Sequence, residues 1–144
     1  MDKTARPKAS IAARIFSAPV PNVNPGSIMT DFPRGWTLSA QVNGGVAGIT
    51  VPAISGVGHV LDSFDAVLAD AGGGAGPYTI NLISSDGVFA NIPIGYLFLA
   101  AAGKDEASGS GLDLATGPGA SLTVSFSGSG AATAEFLLIQ GHDI

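Results

Sequence analysis

At 144 residues the chain has room for one domain with a real core, and only 12% of it is charged, about half the usual share. Twenty-one glycines and nine prolines interrupt it too often for long helices, and the absence of cysteine excludes disulfides, thiolate metal sites and cysteine nucleophiles. Charge is divided along the chain. Residues 1–34 hold five cations against two acids, a net +3, while residues 35–144 hold only Lys104 against nine acids, a net −8.

Residues 1–35 carry Pro7, Pro19, Pro21, Pro25 and Pro33 and read as an extended, basic arm preceding a β-sandwich domain at 36–144. Ile15, Phe16, Val20 and Val23 are its apolar anchors. Residues 36–42 then alternate, with Trp36, Leu38, Ala40 and Val42 against Thr37, Ser39 and Gln41. This is the signature of a half-buried strand. Asn43-Gly44-Gly45 turns it, and 46–51 reads as the return strand. The segment 59–70, HVLDSFDAVLAD, is ambiguous. Val60, Leu61, Phe64, Val67 and Leu68 fall at helical spacing, whereas flanking glycines and the all-β setting favour a strand. The segment is expected to be a strand, with Val60, Phe64, Ala66 and Leu68 on one face and Asp62 tolerated among them.

Tyr78, Ile80 and Leu82 alternate with Thr79 and Asn81, Ser84-Ser85-Asp86-Gly87 turns the chain, and 88–94 returns. Tyr96-Leu97-Phe98-Leu99 is apolar on both faces and reads as a central strand. Residues 103–119 show no clear periodicity and read as a long loop that gathers Lys104, Asp105, Glu106 and Asp113. Leu122, Val124 and Phe126 alternate with serine and threonine, Gly128-Ser129-Gly130 permits a reversal, and 136–139 is wholly apolar. Together 120–139 reads as a closing hairpin whose second arm is covered on both sides. About eight strands separated by turn signals make an antiparallel β-sandwich or barrel.

A catalytic constellation is hard to assemble from these residues. His59 lies near Asp62 and Ser63, but sequence neighbours are poor candidates for a triad, and a G-x-S-x-G elbow is missing. His142-Asp143 falls where fraying is the default. Asp105, Glu106 and Asp113 lack the spacing of a calcium loop, and the glycine loops lack the lysine of a phosphate-binding loop. No catalytic residue, metal or cofactor is therefore expected. The acidic body disfavours nucleic acid, which needs cations at its phosphates. The longest apolar run, 92–102, is broken by Pro93 and Gly95 and falls short of a membrane span, so no membrane partner is expected. Lys3, Arg6, Lys8 and Arg14 are spread where the apolar region of a signal peptide would sit.

Two passages, ITVPAISGVGHVLDSFDAVLAD at 49–70 and SLTVSFSGSGAATAEFLLIQGHDI at 121–144, resemble small jelly-roll proteins of tailed-bacteriophage virions. In that class a strand, a proline and Gly-x-x-His-Val open one segment, and a Ser/Thr/Gly-rich stretch ending in an apolar strand closes the chain. The resemblance implies a jelly-roll-like sandwich with an extended N-terminal arm. It also implies a non-enzymatic cement or decoration role on the capsid exterior, with the major capsid protein as partner. Such a subunit is expected to be a homo-oligomer, a dimer or trimer. Within the arm, Arg6, Arg14, Phe16 and Val20 are the expected capsid contacts. The alternative is a receptor- or glycan-binding jelly-roll module of a head or tail fibre, using the loops at 72–77 and 103–119.

Overall fold

A computed structural model describes residues 34–72 and 74–144 of the protein. The expected arm, with Arg6, Arg14, Phe16 and Val20, lies outside the described residues. The described chain is all-β, with eight strands: β1 (Gly35–Asn43), β2 (Gly48–Val51), β3 (His59–Asp70), β4 (Ala75–Ser84), β5 (Ile92–Leu99), β6 (Gly103–Ala115), β7 (Leu122–Phe126) and β8 (Thr133–Asp143). They form two antiparallel four-stranded sheets, ordered β1-β8-β3-β6 and β2-β7-β4-β5. These orders are those of an eight-stranded jelly roll, so the expected architecture is the observed one.

The topology revises the expected hairpins. Only β4 and β5 are sequence neighbours that pair with each other. The segments read as a closing hairpin, β7 and β8, lie in different sheets, as do β1 and β2. Gly44 and the 128–130 stretch therefore carry the chain across the sandwich instead of folding it back on itself. Gly44 takes φ +69°, and its N–H donates to the Thr133 carbonyl, tying two of these crossings together.

Alternation sets what the sheets bury. Leu122, Val124 and Phe126 point inward from β7, Leu137 and Ile139 from β8, and Ile80 and Leu82 from β4. Together with Leu61, Phe64 and Leu68 they form one core shared by both sheets. β8 is a central strand, between β1 and β3. Its outward Phe136 and Leu138 are half-buried, so "covered on both sides" holds for the inner face and only partly for the outer.

The segment 59–70 is a strand, and its helical spacing has a physical origin. Leu61 pairs with Gly141 and Ser63 with Gln140, so Asp62 is an extra residue in the ladder. Such a bulge moves the inward face on by one position. His59 and Leu61 point inward before it, and Phe64, Ala66, Leu68 and Asp70 after it. The three-residue step from Leu61 to Phe64 imitates a helix. Val60 is buried too but does not share the Phe64 face, which corrects the expected register.

Two further segments differ from expectation. Residues 103–115 are a 13-residue strand, not a loop. Its inward positions include Ala107 and Gly109, because the Phe64 ring fills the space above them. A Cβ on Gly109 would lie 2.8 Å from Phe64 Cε1, and one on Gly95 of β5 would lie 2.9 Å from Phe64 Cζ. The contrast between polar and small residues hides the alternation. Nor is Tyr96–Leu99 central: β5 is an edge strand, with Leu97 and Leu99 inward and Tyr96 and Phe98 outward.

Candidate functional site: a buried histidine clasp and an uncharged sheet face

The two histidines find their partners across the β3–β8 ladder. His59 is fully buried, its Nδ1 2.7 Å from Asp143 Oδ1 and its Nε2 2.9 Å from the Pro52 carbonyl oxygen. The same Asp143 accepts from Trp36 Nε1 at 3.0 Å and from Arg34 Nη2 at 2.9 Å. Trp36 reaches it by lying across Gly141, its register partner, where an added Cβ would collide with the indole and with the Val60 carbonyl. The expected neighbours of His59 are engaged elsewhere. Asp62 bonds His142 Nδ1 at 2.7 Å, and Ser63 donates to Gln140 at 3.1 Å. His142-Asp143 is thus part of a paired strand and does not fray.

A carbonyl and a carboxylate only accept, so the two contacts together favour the doubly protonated imidazolium, in which both ring nitrogens of His59 donate. The hydrogen bond to Asp143 holds the pKa of His59 above its ordinary value. The Pro52 carbonyl adds to this, and the two outweigh burial, which opposes the charge. Burial pushes the Asp143 carboxyl up, but the bonds from His59 and Trp36 and the charge of Arg34 outweigh it and hold the pKa below the ordinary value. A ring with both nitrogens donating has no lone pair with which to take a proton from a substrate. What the cluster does is fasten the last strand to the start of β1 and to β3.

A second buried ionisable group lies inside the sandwich. Glu135 is fully buried, and its Oε1 accepts the Ala47 N–H at 2.8 Å. Among the described residues its Oε2 has no partner. Burial raises the carboxyl pKa, and the Ala47 bond only partly opposes this. Sequence reading missed Glu135, although a lone acid at an inward position of the most apolar strand was a visible signal.

Among the described residues no three metal-ligating side chains come together. Asp105 Oδ2 accepts the Phe98 N–H at 2.8 Å, Glu106 pairs with Lys104 at 2.7 Å, and Asp113 lies within the stretch between Ser110 and Leu114 where β6 loses its register with β3. Asp70, Tyr78 and Thr133 line an open cleft of about 210 Å³ at one end of the sandwich. Two of these side chains are turned towards backbone: Asp70 accepts the Gly72 N–H, and Thr133 bonds Gly130.

The outer surfaces of the two sheets differ in kind. The first sheet exposes charged side chains, Asp65 on β3 and Lys104, Glu106 and Asp113 on β6. Strands β2, β4, β5 and β7 carry no charged residue. The outward positions of that second sheet hold Thr50, Thr79, Thr123 and Ser125, with the Thr50 and Thr123 hydroxyls hydrogen-bonded at 2.9 Å. Large apolar side chains are exposed along its β4–β5 hairpin: Ile83, Val88, Ile92, Tyr96 at 69% and Phe98 at 55%. This face is the best candidate for a binding surface. Comparison with known proteins returns no matching family and no matching curated protein.

Proposed function

We propose that the protein is a structural subunit that binds and stabilises the exterior of a bacteriophage capsid as a cement or decoration protein. The observation that carries this reading is the second sheet, whose strands lack charge and whose β4–β5 hairpin exposes a run of apolar side chains. Apolar surface of this kind is a liability on a free monomer and suits a subunit covered within an assembly. The jelly-roll topology and the basic arm preceding an acidic body support the same reading. In this account the arm, through Arg6, Arg14, Phe16 and Val20, grips the major capsid protein.

The test is co-sedimentation with capsids stripped of the protein, comparing the full chain with one lacking residues 1–25. The full chain should saturate the capsid and the shortened one should not. Undiminished occupancy without the arm would remove it from the account, and no binding by either chain would remove the capsid.

A second reading, a glycan-binding module, is favoured by the exposed Tyr96 and Phe98 beside hydroxyl-bearing residues, since aromatic faces stack on sugars. Of its expected loops, the first places Gly72, Gly74 and Ala75 at the cleft, with Ala75 already in β4, whereas 103–115 is strand. A glycan array without hits would count decisively against it.

A further inference from the structure

We infer that the uncharged outer face of the β2-β7-β4-β5 sheet is where a second copy of this chain docks. The inference concerns the protein in solution and does not rest on the capsid reading.

The argument starts from charge. Residues 35–144 carry a net −8, so two copies repel wherever their acidic surfaces face each other. The acids are not evenly spread. Those in strands lie on β3, β6 and β8 of the first sheet, and among the described residues only Asp86 and Arg34 are charged outside those strands. Asp86, at the turn after β4, has its carboxylate bound by the Ser84 hydroxyl and the Gly117 and Val88 N–H groups. Two second sheets can therefore approach with a single strand carboxylate at the margin, Asp105, which is already bonded to the Phe98 N–H, so little charge has to be stripped of water.

Hydrogen bonding makes the same face complementary to itself. Thr50, Thr79, Thr123 and Ser125 present hydroxyls, each both donor and acceptor. A hydroxyl-lined face can satisfy its own copy, as a two-fold interface requires, whereas a face of acids or amines cannot. Tyr96 and Phe98 supply the large apolar contact at the β5 edge, the residue types that anchor interfaces. The four strands span about 14 Å from first to last at ordinary strand spacing, and the β4–β5 hairpin with Val88 widens the patch towards the area a specific dimer needs.

The experiment is sedimentation equilibrium of the full chain at several concentrations and salt levels. The same measurement is made on Ser125→Glu, Tyr96→Glu and, as control on the first sheet, Gln41→Glu. Trp36 emission verifies that each variant is folded. The wild type should self-associate, and more tightly as salt screens the acidic bodies. Ser125→Glu and Tyr96→Glu should weaken association by roughly 100-fold, because each places an unpaired carboxylate in the contact, while Gln41→Glu should not. A wild type that stays monomeric at every concentration overturns the proposal. So does association that both face variants leave intact. An assembly that dissolves with salt and ignores the face variants would instead be held by ion pairs of the basic segment. If Ser125→Glu proves unfolded, the exposed Tyr96→Glu decides alone.

Discussion

Because both ring nitrogens of His59 face acceptors, the fold holds a buried cation beside Asp143, and the stability of the protein must follow their titration. The pKa of His59 is raised above 6.5 by folding. Its contribution is complete below that pH and is lost as pH rises through the higher folded value. The Asp143 pKa is lowered below 3.8, so its contribution is complete above that pH and is lost as pH falls through the lower folded value. Glu135 works in the opposite sense to Asp143. With a folded pKa above 4.5, it penalises the native state increasingly as pH rises past 4.5 and fully once its own pKa is passed. The three together predict greatest stability in mildly acidic solution and a decline towards pH 8, measurable as the urea midpoint across pH 4–9. Glu135→Gln keeps an acceptor for the Ala47 N–H without the ionisation and should flatten part of that decline. Glu135→Leu, which leaves the N–H unpaired, should cost about 1–3 kcal/mol. Asp143→Ala strands His59 and the Trp36 N–H and should cost about 3 kcal/mol at pH 6. An unchanged midpoint in that variant would show that the clasp does not hold the sheet together.

At the level of elements, the Phe64 ring decides how β3, β5 and β6 fit together. It occupies the room that side chains would take at Gly95 and Gly109, so a large residue on one strand is matched by glycine on two others. Gly109→Ala places a Cβ against the ring and should destabilise by about 1–3 kcal/mol through overpacking. In the background of Phe64→Leu the same substitution should cost markedly less, and a thermodynamic cycle on the four proteins measures the difference. Purely additive costs would mean that the glycine serves backbone conformation instead. The same contact shows where the sequence was legible. β1, β4 and β7 alternate apolar with polar and could be read directly, since each keeps one face in the core. β6 alternates polar with small residues, and its register with β3 breaks between Ser110 and Leu114, so no hydrophobic period survives. β3 gave a false helical period through its Asp62 bulge. The clasp was illegible for another reason: His59 and Asp143 are 84 positions apart, and only the placing of β8 beside β3 brings them together. Strand pairing at such separations leaves no local trace.

Over the whole molecule, the connections bind the two sheets into one cooperative unit. Only the β4–β5 connection stays within a sheet, so neither sheet can complete itself without strands delivered by the other. The core likewise draws on both, with Leu61, Phe64, Leu137 and Ile139 from one sheet and Ile80, Leu82, Leu122 and Val124 from the other. Two probes report on the halves separately. Trp36, the only tryptophan, is on the first sheet, while the two tyrosines, Tyr78 and Tyr96, are both on the second. Denaturant unfolding followed by tryptophan emission and by the tyrosine near-ultraviolet signal should give coincident midpoints, as expected of a two-state domain. Amide exchange should agree in detail. β8, flanked by β1 and β3 and closed at its end by Asp143, should exchange only through global opening. The four-residue edge strand β2 should open first. Separated midpoints would mean that the two sheets melt as independent layers, despite the core that they share.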